Sequence, residues 1–216
     1  MDLYKFWIHN ELDYFLNFKE YIFSSLKNHE ERINKSIQAL IIANKDNNLE
    51  EKEREEVTIS NIKFEKDETE QLMIRSFVVS IFGFLENEVN FLCDEIKKEK
   101  KINLSFRDMK GSGIDRSLLY LKKVAEVEFP TDPRLKEKFV NYRTLRNIIV
   151  HSNGFPSDEK TKAKVIEIST KMKDFKVNSI GEITYSRKFT DNIIGATQGI
   201  IGNIFVIHDQ IAGETK

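Results

Sequence analysis

Arg146, Asn147 and His151 stand close together in the stretch Tyr142 to Gly154, YRTLRNIIVHSNG, in the order R-N-x-x-x-H. These residue types suit chemistry at a phosphate. Histidine has an ordinary pKa of about 6.5, so it can give or take a proton at neutral pH. Arginine stays charged and grips phosphate oxygens as a planar fork. Asparagine can hold an imidazole or a phosphate oxygen without changing the charge. On a helix, residues four apart share a face, which aligns Asn147 with His151 and Tyr142 with Arg146. Arg146 and His151 are five apart, about 140° around the axis, within reach of a bending Arg side chain.

A helix must carry these residues. Pro130-Thr131-Asp132-Pro133 is a turn signal in which Thr131 or Asp132 caps and Pro133 enters the first turn. Leu135, Phe139, Tyr142, Leu145, Ile149 and Val150 recur at helical spacing and are expected to face a core. Ser152, Asn153, Gly154 and Pro156 stop the helix just after His151.

With Arg146, Asn147 and His151 at a helix end that closes on Gly154, the stretch resembles the HEPN superfamily of nucleotide-binding domains. The preceding GSGIDRSLLYLKKV and the upstream Phe84-Leu85-Glu86 extend the likeness over residues 67–154. The resemblance implies a metal-independent endoribonuclease with no cofactor, of toxin or phage-defence type. It also implies a homodimer with two motifs facing one cleft, and a possible antitoxin or defence-system partner. By the resemblance, Glu86 sits where a family carboxylate faces the motif helix and could hold Arg146; the alternative is a surface acid. Arg143 and Tyr142 complete the supporting candidates. In HEPN toxins paired with a minimal nucleotidyltransferase, a modified Tyr follows the His by two positions. Asn153 stands there in this chain, so that control is not implied.

Cleaving RNA through its 2′-OH needs a base for the hydroxyl proton, a cation for the phosphorane, and an acid for the leaving 5′-oxygen. The products are a 2′,3′-cyclic phosphate and a 5′-hydroxyl. One His cannot be acid and base in a single step without a relay, whereas two copies across a two-fold axis can. The competing reading is a catalytically silent HEPN-like domain that binds nucleotide or RNA or serves as a scaffold. A third is structural, with Arg146 capping carbonyls and His151 a surface histidine.

Composition narrows the class. The chain of 216 residues is 40% hydrophobic and 32% charged, values of a globular protein with a charged surface. Residues 1–94 carry 11 Lys and Arg against 19 Asp and Glu, and residues 95–216 carry 23 against 16, so the motif lies in the basic half. A basic surface is what a phosphate ligand needs. Cys93 is the one cysteine, so no internal disulfide is possible, and it reads as a small buried hydrophobe. The N-terminus, MDLYKFWIHNELDYF, lacks the basic start of a signal peptide. The apolar run Ile200 to Ile207 is interrupted by Gly202 and Asn203, so no membrane span is expected and the chain reads as cytoplasmic. His9, His29, His151 and His208 are scattered, which gives no zinc pattern and no expected metal site.

The expected fold is all-α: a bundle of about five to six helices with a small β-hairpin before the C-terminal helix. It forms a single domain over residues 1–216, with an N-terminal helical extension (1–56), the best-matching core (67–154), and the hairpin plus last helix (155–216). Residues 2–44 read as two helices with a break at Asn28 or His29. Residues 44–56 are a charge run, a solvated helix end or mobile loop. Val57 to Phe64 alternate and suggest a short strand. Asp67 to Lys98 is expected to be the longest and most central helix. It places Arg75 and Glu86 on one face, where a buried charge must find a partner. Gly111-Ser112-Gly113 reads as a turn before a helix over Ile114 to Val127, capped by Ser112 or Asp115. A charged helix over Asp158 to Met172 precedes the hairpin of Phe175-Lys176-Val177 and Ile183-Thr184-Tyr185. Thr190 to Ile211 is the last helix, where Gly195 and Gly199 allow another helix to approach, within the bundle or across a dimer.

Overall fold

The computed structural model describes residues 3–45 and 48–214. Six helices form a bundle, in the order α1 (Leu3–Ala43), α2 (Leu49–Glu99), α3 (Gly113–Lys123), α4 (Pro133–Ser152), α5 (Glu159–Lys171) and α6 (Arg187–Glu214). A 3-10 turn at Phe106–Asp108 lies between α2 and α3. Strands β1 (Phe175–Val177) and β2 (Ile183–Tyr185) make an antiparallel hairpin just before α6, with Phe175 opposite Tyr185. The all-α bundle with a late hairpin is the expected fold.

Two expectations about the first hundred residues are corrected. Leu3–Ala43 is one helix without a break at Asn28 or His29. No Gly or Pro occurs between residues 3 and 43, so nothing stops propagation. Val57 to Phe64 is not a strand but part of α2, which starts at Asn48. There Asn48 Oδ1 accepts from the Glu51 amide at 3.1 Å, and the Asn48 amide donates to Glu51 Oε2 at 3.0 Å. This capping box starts a helix inside the charge run, and a helix pairs its own backbone groups where an isolated strand has no partner. Asp46 and Asn47 of that run lie outside the described residues.

Helices α1 and α2 run antiparallel. Tyr4 hydrogen-bonds Glu88, Phe15 packs edge-on to Phe77, and Glu30 pairs with Lys66. Ile8, Leu12, Ile22 and Leu26 join the main core, so the N-terminal half of α1 is part of the bundle rather than an appendage. Among the described residues between 27 and 73, Ile37 alone is buried. The distal halves of the two helices therefore form a solvated arm.

Helix α2 is central, as expected. Ile74, Val78, Ile81, Leu85, Val89 and Leu92 are sealed from solvent, and α6, α3, α1 and α4 all pack on it. Cys93 is buried beside Ser117, and burial pushes its thiol up to about 12, which makes it inert packing. Ser112 occupies the N-cap position of α3 but makes no side-chain cap bond. Helix α3 ends at Lys123, four residues short of the expected Val127. Gly199 explains how closely α6 approaches α4: a Cβ there would meet Leu135 Cδ1 at 3.1 Å, whereas Gly195 has open space. Among the described residues, no helix is long and apolar enough to cross a membrane.

Candidate functional site at the end of helix α4

Helix α4 begins where the sequence requires. Asp132 Oδ1 accepts from the Arg134 amide at 2.8 Å, and Pro133 occupies the first turn. Phe139, Tyr142, Leu145, Ile148 and Ile149 are buried. Val150, expected in the core, is 43% exposed, and Ile148 takes its place. The helix stops at Asn153, whose φ of 49° is left-handed, followed by Gly154 at φ 91°. The Asn153 amide donates to the Ile149 carbonyl and the Gly154 amide to that of Ile148. Both orphan carbonyls are thereby satisfied.

The three motif residues lie on the outside of this last stretch. Arg146 and Asn147 are half-buried and His151 is exposed. Arg146 Nη1 donates to Asn147 Oδ1 at 3.1 Å, which orients the guanidinium. Arg146 Nε is buried and has no hydrogen-bond partner among the described residues. A guanidinium nitrogen kept from water without an acceptor is costly.

The supporting candidates divide differently. Arg143 pairs with Asp115 of α3 at 2.6 Å and so ties α4 to α3. Tyr142 is in the core, edge-on to Phe189 of α6, and burial raises its hydroxyl's pKa well above the ordinary phenol range. Glu86 forms no ion pair with Arg146 among the described residues, contrary to the expected contact. Its Oε2 lies instead 3.3 Å from where a Cβ on Gly113 would stand, beside the start of α3. The reason is geometric. Gly113 has no side chain and takes φ 58°, so the α3 entrance comes close to α2 and occupies the space in front of Glu86.

Beneath the end of α4 lies a charged cluster that the motif did not reveal. Arg75 of α2 is 5% exposed and Glu182 of the hairpin 6%, and the two form a buried ion pair. Arg75 Nη1 also reaches Asn153 Oδ1 at 3.4 Å, and the guanidinium lies against Gly154. Asn178 donates from Nδ2 to Glu182 Oε2 at 3.0 Å. The Ile183 amide donates to the Gly154 carbonyl at 2.9 Å. Gln71 clamps Tyr185 from α2 in both directions, at 2.9 and 2.7 Å. The hairpin thus leans on the bundle, as a marginal two-stranded unit must, and it holds the turn that ends the motif helix. Arg75 was legible as a charge in need of a partner. Glu182 carried no signal, because it lies 107 residues away in a short loop.

Among the described residues, no group of three or more His, Cys, Asp or Glu is placed to hold a metal. Compared with family models, with curated proteins and with solved structures, the chain matches none.

Proposed function

We propose that the chain is a metal-independent endoribonuclease of the HEPN type, acting at the C-terminal end of α4. The observation that supports this reading is the Arg146 guanidinium, aimed by Asn147 and left with a buried unpaired Nε, one turn before the exposed His151.

The roles follow from the groups. A neutral His151 takes the proton from the ribose 2′-OH as that oxygen attacks the phosphorus. Arg146 stabilises the charge that builds on the non-bridging oxygens. The P–O5′ bond breaks, and the departing oxygen takes a proton from a second, protonated His151 supplied by another copy across a two-fold axis. The products are a 2′,3′-cyclic phosphate and a 5′-hydroxyl. Asn147 positions and does not exchange protons. RNA, a second copy of the chain, and an antitoxin or other defence-system protein are the partners this reading calls for.

The test is cleavage of RNA by purified protein, wild type beside His151→Ala, with product ends analysed. Loss of cyclic-phosphate products in the variant supports the reading, and undiminished cleavage defeats it. One observation favours a second reading, a catalytically silent RNA- or nucleotide-binding domain: Arg143 is paired with Asp115 of α3, and Glu86 lies beside the α3 entrance and forms no ion pair with Arg146 among the described residues. RNA binding that needs Arg146, without any cleavage by wild type, would select it.

A further inference from the structure

A groove of about 740 Å³ runs between the first turns of α1 and the C-terminal half of α2, on residues that α4 does not use. Its walls are aromatic: Tyr4 stacks on Phe91 at 4.5 Å, Phe84 lies beneath, and Trp7 stands at the rim, 61% exposed. Two carboxylates, Glu11 and Glu88, share it, and no Lys or Arg lines it. Tyr4 Oη donates to Glu88 Oε2 at 3.0 Å, and Glu88 makes no ion pair among the described residues. Burial, and then the Glu11 charge, push the Glu88 carboxyl above its ordinary value against that hydrogen bond. The nearby cations of α1 are committed elsewhere, Lys5 to Asp209 and Lys19 to Asp191 on α6.

The groove continues into a stripe. Leu3, Trp7, Tyr14, Phe18 and Tyr21 fall within about 60° of arc at 100° per residue and run about 27 Å along α1. Leu3 is 70% exposed, Tyr14 65% and Tyr21 69%. Trp7, Tyr14 and Tyr21 recur every seven residues, the interval at which one helix lies along another.

We propose that this surface binds an amphipathic helix of a partner protein, which lays its apolar side on the α1 stripe and places a Lys or Arg between Glu11 and Glu88. Charge complementarity selects the cation. A positive group supplies the ion pair that the two carboxylates lack among the described residues and lies over aromatic rings that attract it. The length of the stripe selects a helix, since a small free amine would cover the carboxylates and leave the aromatic residues in water. A second copy of this chain fits less well, because residues 6–18 contain no Lys or Arg to offer the groove. The inference concerns binding at α1 and α2, so it holds or fails apart from any cleavage at α4.

Trp7 is the only tryptophan, so its fluorescence reports directly on the groove. The probe is an acetylated amphipathic peptide of Leu, Ala and Gln with one central Lys, compared with the same peptide carrying norleucine there. Saturable change in Trp7 emission with the Lys peptide is expected, with affinity about tenfold or more lower for the norleucine peptide, the scale of one charged contact. Glu88→Gln and Glu11→Gln are expected to weaken the Lys peptide and leave the norleucine peptide unchanged. Tyr14→Ser, on the exposed stripe, is expected to weaken both. Far-UV circular dichroism matching wild type shows that each variant is folded. Equal affinity for the two peptides, or no response at millimolar peptide, overturns the proposal. So does butylammonium binding as tightly as the Lys peptide, which would make the site one for small amines. Concentration-dependent dimerisation that Tyr14→Ser abolishes would assign the stripe to a second copy, and it too overturns the proposal.

Discussion

Arg75 and Glu182, 107 residues apart in sequence, form a buried ion pair directly beneath the turn that ends the motif helix. Arg75 reaches Asn153 on one side and lies against Gly154, while Glu182 is held by Asn178 of the hairpin. One pair therefore joins α2, the end of α4 and the β-hairpin, and it sets where His151 stands relative to the bundle. This gives the hairpin a role: it is the counter-charge and the clamp for the motif turn.

Breaking the pair from one side is expected to be costly. Arg75→Met leaves Glu182 buried and uncompensated, and Glu182→Leu does the same to Arg75. Each is expected to destabilise the chain by about 3–5 kcal/mol, and the double change Arg75→Met with Glu182→Leu by much less. Chemical denaturation of the two single variants and the double variant measures this. If the single changes are additive in the double, the two residues are not coupled.

The motif variants should grade. His151→Ala and Arg146→Ala are each expected to lower RNA cleavage by about 10²–10⁴, the worth of a positioned proton donor or an oxyanion contact. Asn147→Ala should cost less, because Arg146 then loses only its orienting acceptor. All three should unfold near the wild-type temperature, since none of the three side chains is fully buried. Chelator is expected to leave the rate unchanged. Mixing His151→Ala chains with wild type should depress activity below the average of the two if one site draws on two histidines.

Two glycines on α6 should answer differently to alanine. Gly195→Ala meets open space and gains helix propensity, so it is expected to stabilise by about 1 kcal/mol. Gly199→Ala gains the same propensity but presses on Leu135, so its stability should fall below that of Gly195→Ala. Thermal unfolding of the pair checks the order. A lower oligomeric mass for Gly195→Ala alone would place an intermolecular contact at that open glycine.

Glu88 predicts a pH effect. Burial and the Glu11 charge raise its carboxyl above the ordinary 4.5. The folded chain then holds that proton more tightly than the unfolded one, so this group's contribution falls as pH rises from the ordinary carboxylate value through the raised one. Glu88→Gln should therefore raise the unfolding temperature more at about pH 7 than at about pH 4. An equal shift at both would show that Glu88 carries no raised pKa.

The sequence by itself determined the parts governed by local rules. Asp132-Pro133 and Asn153-Gly154 bound α4 because caps and left-handed stops act within a few residues. Phe175–Val177 and Ile183–Tyr185 pair because a short polar turn with Gly181 joins them. Arg146, Asn147 and His151 were placed at a helix end for the same reason. Local alternation misled at Val57 to Phe64, where the Asn48 capping box starts a helix and no partner strand competes among the described residues. Only the tertiary structure decided which distant charges meet. Glu86 shares a helix with Arg75, yet Arg75 pairs with Glu182, and Glu86 faces the entrance to α3. Spacing along one helix fixes which side a charge faces. The partner on that side arrives from another part of the chain through packing, and the cost of leaving a buried charge alone selects it.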